Sequence, residues 1–178
     1  MAEPVLLLDG GMGQELMRRS ARPVEPLWSA RTLAHEPGLV VAAHRDFIAA
    51  GAQVVTLASY SVTPPRLAAA GEDDSFEWLQ ETACDCAAGA REAEGAAVAI
   101  AGCLPPLVRS YRPDLAPDVE SARRDYARIV AAQAPRVDLF LCETLSTLDE
   151  IAAAVGAAAQ SGLPVWCAVT VDDADGTR

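Results

Sequence analysis

Apolar residues come in short unbroken blocks along this chain, and longer amphipathic stretches lie between them. Val5 to Leu8 form the first block, and Asp9 with Gly10, Gly11 and Gly13 follows directly. A short apolar run bounded by turn residues reads as a strand buried on both faces of a parallel sheet. Similar runs at 53–58, 97–102, 137–142 and 165–171, together with 5–9, predict five strands. Helical patterning is predicted at 14–19, 38–50, 75–94, 118–134 and 148–160. Strand and helix alternate throughout, which predicts an α/β fold with a parallel sheet and right-handed crossovers.

Punctuation supports the boundaries. Gly51 follows the second helix, and Gly162 with Pro164 closes the last one. Asp74 to Glu77 and Thr147 to Glu150 have the spacing of capping boxes, so helices are expected to begin there. The longest loop, 103–117, carries four prolines and follows the third strand directly. Without a repeat or a linker-like segment, residues 1–178 are expected to form a single domain.

Composition narrows the partners. Hydrophobic residues make up 51% of the 178, enough for a substantial core. The net charge of −11 opposes binding to a phosphate backbone, so nucleic acid is not an expected partner. No run approaches the ~18 apolar residues of a membrane span. The first residues lack a basic, apolar leader, so a cytoplasmic location is expected. Five cysteines, an odd number with irregular spacing, do not suggest a secreted disulfide framework.

Candidate chemistry gathers at the predicted C-terminal strand ends. They carry Asp9 and Gly10, then Ser59, Tyr60 and Ser61, then Gly102 and Cys103, then Glu143 and Thr144, and finally Thr170. In parallel α/β folds these ends face one mouth, where ligands bind. Asp9 and Glu143 would flank it and hold an ammonium group by charge-assisted hydrogen bonds. A glycine loop ahead of a helix also fits an anion-binding turn in a small doubly wound domain. The GGMG run, however, lacks GxGxxG spacing and the Walker lysine. The cysteines do not suggest a metal site. Cys84 and Cys86 lie ~200° apart around a helix, and Cys142 is expected on the sheet face opposite Glu143. Cys103 and Cys167 alone do not complete a ligand set. His35 and His44 read as surface or capping residues.

Several of these segments carry a family likeness. They are LDGGMGQEL at 8–16, LWSA at 27–30, the stretch 50–60 ending in Ser59 and Tyr60, AGCLPP at 101–106 with SYRPD at 110–114, and CET at 142–144. In these motifs the chain resembles the zinc-dependent homocysteine S-methyltransferase family over its whole length. The resemblance implies a parallel (β/α) barrel of TIM type, here a partial barrel of about five β/α units out of eight. It implies transfer of a methyl group from a small donor, such as S-methylmethionine, to the homocysteine thiol to give methionine. Asp9 and Gly10 match positions that bind the amino acid moiety of homocysteine, Glu143 matches the acid that binds its amino group, and Ser59 and Tyr60 match the mouth. Ala58 stands where many members have Asn, and Cys103 where many have Ser. The family's zinc cysteines fall after the sixth strand and near the eighth, outside this chain. The chain is therefore expected to be an N-terminal portion without zinc binding or turnover of its own, and with open barrel edges suited to self-association. The alternative is a non-catalytic half-barrel that binds an amino acid or assembles with another chain.

Overall fold

The computed structural model describes residues 5–22, 27–95, 97–171, 173, 174 and 176. The first four residues, part of the leader reading, lie outside this set. Helices α1 (Met12–Arg19), α2 (Trp28–His35) and α3 (Pro37–Ala49) precede the first laddered strand, β1 (Val54–Thr56). There follow α4 (Pro64–Ala69), α5 (Phe76–Glu94), β2 (Ala99–Leu104), α6 (Val119–Gln133), β3 (Leu139–Leu145), α7 (Leu148–Ala159) and β4 (Val165–Val169). The sheet has the order β1-β2-β3-β4, and every pairing is parallel. This is the α/β architecture of a partial TIM-type barrel, with each strand joined to the next through helix.

The first predicted strand is the main departure. Residues 5–9 do not form a ladder; they touch the sheet through one parallel bridge, Leu8 to Val54. Two backbone bonds hold them, from Gln53 N–H to Leu7 O at 2.8 Å and from Asp9 N–H to Val54 O at 3.0 Å. Val5, Leu6, Leu7 and Leu8 are exposed, not buried on both faces. The run has β1 on one side and no strand paired to its other side among the described residues, so its apolar composition is not matched by burial.

Alternation along the strands sorts two faces. The large core lies between sheet and helices and includes Val55, Ile100, Phe140 and Cys142. A smaller cluster of Val54, Ala101 and Leu139 sits on the inner face. Thr56, Cys103 and Glu143 continue those inner rows toward the C-terminal strand ends, because side chains two apart share a face. Register places Trp166 opposite Leu141, and Cys167 opposite Cys142. Beyond an irregularity between Cys142 and Leu145, Val169 pairs with Leu145, a residue of the helix-side core. Val169 and Val171 are exposed at the β4 edge.

Helix starts differ in how they are capped. Thr147 Oγ1 accepts from Glu150 N–H at 3.1 Å, so the helix begins where its spacing predicts, while Glu150 Oε2 accepts from Ser146 N–H, one residue before the cap. The 74–77 spacing does not make a box: a 3-10 turn, Asp73–Ser75, leads into α5, and no side chain caps it. Asp118 caps α6 by accepting from Ser121 N–H. Helices α2 and α4 are short and were not evident from periodicity. His44 is neither surface nor cap. It is fully buried in α3 with both ring nitrogens unpartnered, and burial lowers its pKa to about 4.

Candidate functional site

Each functional side chain is placed by a strand end. The bridge at Leu8 fixes Asp9 beside β1, where Asp9 Oδ2 accepts from Thr56 N–H at 2.8 Å and Oδ1 from Thr56 Oγ1 at 3.2 Å. The carboxylate thus ties the first segment to the sheet, and its remaining lone pairs stay available to a ligand. Gly10 follows because the Phe47 ring packs against it; a Cβ there would lie 2.8 Å from Phe47 Cε1. Glu143 projects from the inner row of β3. The next residue, Thr144, has φ of 62°, at the point where the β3–β4 register shifts. A β-branched residue in the left-handed region is a true backbone outlier, and irregularities of this kind re-aim side chains at strand ends.

A cavity of about 710 Å³ opens at these ends and is lined by Asp9, Gly10, Tyr60, Glu143 and Thr144, among others. The structure therefore brings four of the five sequence-predicted site residues to the lining of one cavity. Ser59 is the exception. It is buried, accepts a bond from Gln133 Nε2 at 3.2 Å, and lies behind the cavity, not on its lining. Its neighbour Ser61 does line the cavity and meets Ser29 Oγ at 2.5 Å.

The electrostatics are those of a half-buried acidic pair. Burial, reinforced by the charge of Glu143, raises the Asp9 pKa to about 6, against the bonds from Thr56. Burial also raises Glu143, partly opposed by the bond from Cys103. Two partly desolvated carboxylates in one cavity favour a cationic guest. The Tyr60 hydroxyl bonds Ser110 at 2.7 Å, and burial raises its pKa. Arg66 lies 5.2 Å from the Tyr60 ring centroid and donates to Tyr60 O and Pro106 O.

Sequence reasoning passed over Arg66 and Tyr111 as lining residues. Thr63-Pro64-Pro65 is a helix-start signal, Pro at the first positions, and would have placed Arg66 on a helix directly after the β1 end. Tyr111 stands in the proline-rich loop with φ of 59°; nothing in the local pattern predicts that conformation.

A family model described as homocysteine S-methyltransferase matches residues 6–178. The chain belongs to the homocysteine S-methyltransferase family. It is 34% identical over 165 residues to the homocysteine S-methyltransferase of Escherichia coli (strain K12), covering 85% of this chain and 53% of that protein. It is 39% identical over 90 residues to homocysteine S-methyltransferase YbgG of Bacillus subtilis (strain 168), covering 50% of this chain and 29% of that one. The crystal structure of the E. coli homocysteine methyltransferase MmuM in its metallated form superposes with a TM-score of 0.83 at 31% identity, over 98% of this chain and 67% of that one. The chain spans about half the length of the E. coli relative.

Four of the five thiols of this homocysteine S-methyltransferase family member are buried and Cys167 is exposed. Burial pushes the Cys103 thiol well above its ordinary range, and it donates to Glu143 Oε1 at 3.1 Å. Cys142, Cys84 and Cys86 are buried in the helix-side core and also raised. Among the described residues no three His, Cys, Asp or Glu side chains are grouped to hold a metal ion. No described helix is long and apolar enough to cross a membrane.

Proposed function

We propose that this chain carries the homocysteine-binding wall of a homocysteine S-methyltransferase, acting on homocysteine with a small methyl donor such as S-methylmethionine. The observation that carries the reading is the shared cavity of Asp9 and Glu143. Their carboxylates hold the ammonium group of the amino acid, the backbone at Gly10 admits the amino acid portion closely, and Tyr60 borders the remaining space. Methyl transfer gives methionine, so the reading places the protein in methionine formation, and the cytoplasm is the proposed location. Activation of the homocysteine thiol, which zinc supplies in the family, is not assigned to the thiols present here. The chain by itself is therefore expected to bind homocysteine and to show neither stoichiometric zinc nor turnover.

Calorimetric titration of the purified chain with reduced homocysteine tests this. Glu143→Gln removes a charge-assisted bond and is expected to weaken binding about 10- to 100-fold. Glu150→Gln, which alters a residue that caps α7 away from the cavity, is expected to leave affinity unchanged. Equal affinity of the Glu143→Gln protein and the parent would refute the assignment. Because Asp9 titrates at about 6, affinity for the ammonium form is expected to fall as pH drops below that value.

A further inference from the structure

Behind the Glu143 wall lies a buried polar chain that the proposed function does not use. Strand β1 ends at Thr56, so the Cys103 backbone N–H of β2 has no strand partner on that side. Gln133, the last residue of α6, takes its place: its Oε1 accepts from Cys103 N–H at 2.9 Å. The Gln133 amide is held in turn. Its Nε2 donates to Gln80 Oε1 at 2.8 Å and Ser59 Oγ at 3.2 Å, and Gln80 Nε2 donates to Val62 O at 2.8 Å. Gln133 is fully buried, with Gln80 and Ser59 beside it. Gly102 makes the approach possible, since a Cβ there would fall 2.8 Å from Gln133 Oε1 and 2.5 Å from Phe140 Cε1. On the inner face, the Cys103 thiol donates to Glu143 Oε1 at 3.1 Å.

We propose that Gln133 and Cys103 are positioning residues for Glu143: the end of α6 fixes the Cys103 backbone, and the Cys103 thiol fixes one carboxylate oxygen so that the other faces the cavity. The inference rests on reading Glu143 as the ammonium ligand, but its geometry is independent of any ligand. A buried side-chain network spanning α5, α6, the β1 end and β2 leaves little freedom at Cys103, and full satisfaction of such a network rigidifies it. The S–H bond also favours the ionised carboxylate, the form that binds an ammonium group. The titratable and charged groups around Glu143 are Asp9, Cys103, Tyr60, Arg66 and Tyr111. Of these, only Cys103 donates a hydrogen bond to its carboxylate among the described contacts.

The test follows the Glu143 carboxyl carbon by NMR in chain labelled with ¹³C-glutamate, its resonance assigned by loss in Glu143→Gln. Cys103→Ala is expected to raise the Glu143 titration midpoint by roughly half a unit to one unit. Cys103→Ser restores a donor and is expected to bring the midpoint back to the parent value or below it. Gln133→Met, of similar volume, is expected to shift it in the same direction as Cys103→Ala while unfolding stays cooperative. A midpoint unmoved by both Cys103→Ala and Gln133→Met overturns the proposal. If Gln133→Met does not fold, Cys103→Ala against Cys103→Ser decides. Homocysteine titration of the same proteins separates the two readings. A shifted midpoint in a chain that never binds homocysteine sinks the functional reading and leaves the relay standing. Homocysteine binding with an unmoved midpoint does the reverse.

Discussion

His44, fully buried, and Asp9, half-buried, are titratable residues with opposite effects on acid stability. His44 is held neutral, its pKa lowered from 6.5 to about 4. Between those values the unfolded chain binds a proton that the folded chain refuses, so stability falls as pH drops from about 6.5 to 4. Asp9 is raised from 3.8 to about 6 by burial and by Glu143. Its contribution is fully present below 3.8 and is lost as pH rises through 6. Each effect is on the order of 3 kcal/mol, and over the shared window of about 4 to 6 they oppose one another. Urea unfolding across pH 4 to 7 is expected to show a shallow profile in the parent chain. Asp9→Asn should uncover the His44 slope, with stability falling toward acid. His44→Leu should uncover the Asp9 slope, with stability falling toward neutral pH, and should also remove two unpartnered buried nitrogens. A parent-like profile in both variants would contradict this account. Glu143 was legible in the sequence as a residue near a parallel strand end, and Asp9 as the residue between an apolar run and a glycine turn. The burial of His44 was not, because α3 is apolar enough around its circumference that periodicity does not single out its buried face.

Elements were read best where length and composition agreed. Helices α3, α5, α6 and α7 and strands β2, β3 and β4 fall close to the boundaries that apolar blocks and terminal glycines or prolines imply. Helices α2 and α4, of eight and six residues, give too few turns for a 3.6-residue period to show, whereas α1, as short as α2, was legible because it follows the Gly10–Gly13 turn directly. The segment 5–9 had the composition of a strand, yet composition does not report whether neighbours exist to pair with it. The irregularity at Thr144 depends on backbone dihedrals that no residue pattern there announces. Glycines offer a direct test of element-level packing. Gly102→Ala drives a methyl group into Phe140 and Gln133 and is expected to cost about 1–3 kcal/mol in thermal or urea unfolding. Gly89 lies within α5 with open space around it, so Gly89→Ala is expected to stabilise by about 1 kcal/mol. Stabilisation by Gly102→Ala would refute crowding at β2, and destabilisation by Gly89→Ala would refute the open helical position.

At the scale of the molecule, apolar side chains stand exposed on both flanks of the sheet: Val5 to Leu8 beside β1, and Trp166, Val169 and Val171 along β4. Unpaired strand edges of this kind template association. Sedimentation velocity is expected to show assembly rising with concentration, and Leu6→Lys with Trp166→Lys should shift the population toward monomer; a parent chain that stays monomeric throughout would disprove it. The α/β class and the parallel direction were legible because they follow from alternation alone. The flanks were not, since they depend on what lies next to each edge. The sheet order β1-β2-β3-β4 also bears on how the molecule is made. Each laddered strand pairs with the one synthesised just before it, so during translation at roughly 5–20 residues per second every new unit meets a template already outside the ribosome. Asp9 precedes all four laddered strands and must wait for Glu143, which arrives with β3, the third of them. The cavity is thus a late product of synthesis, while the surfaces that shelter it form early and one at a time.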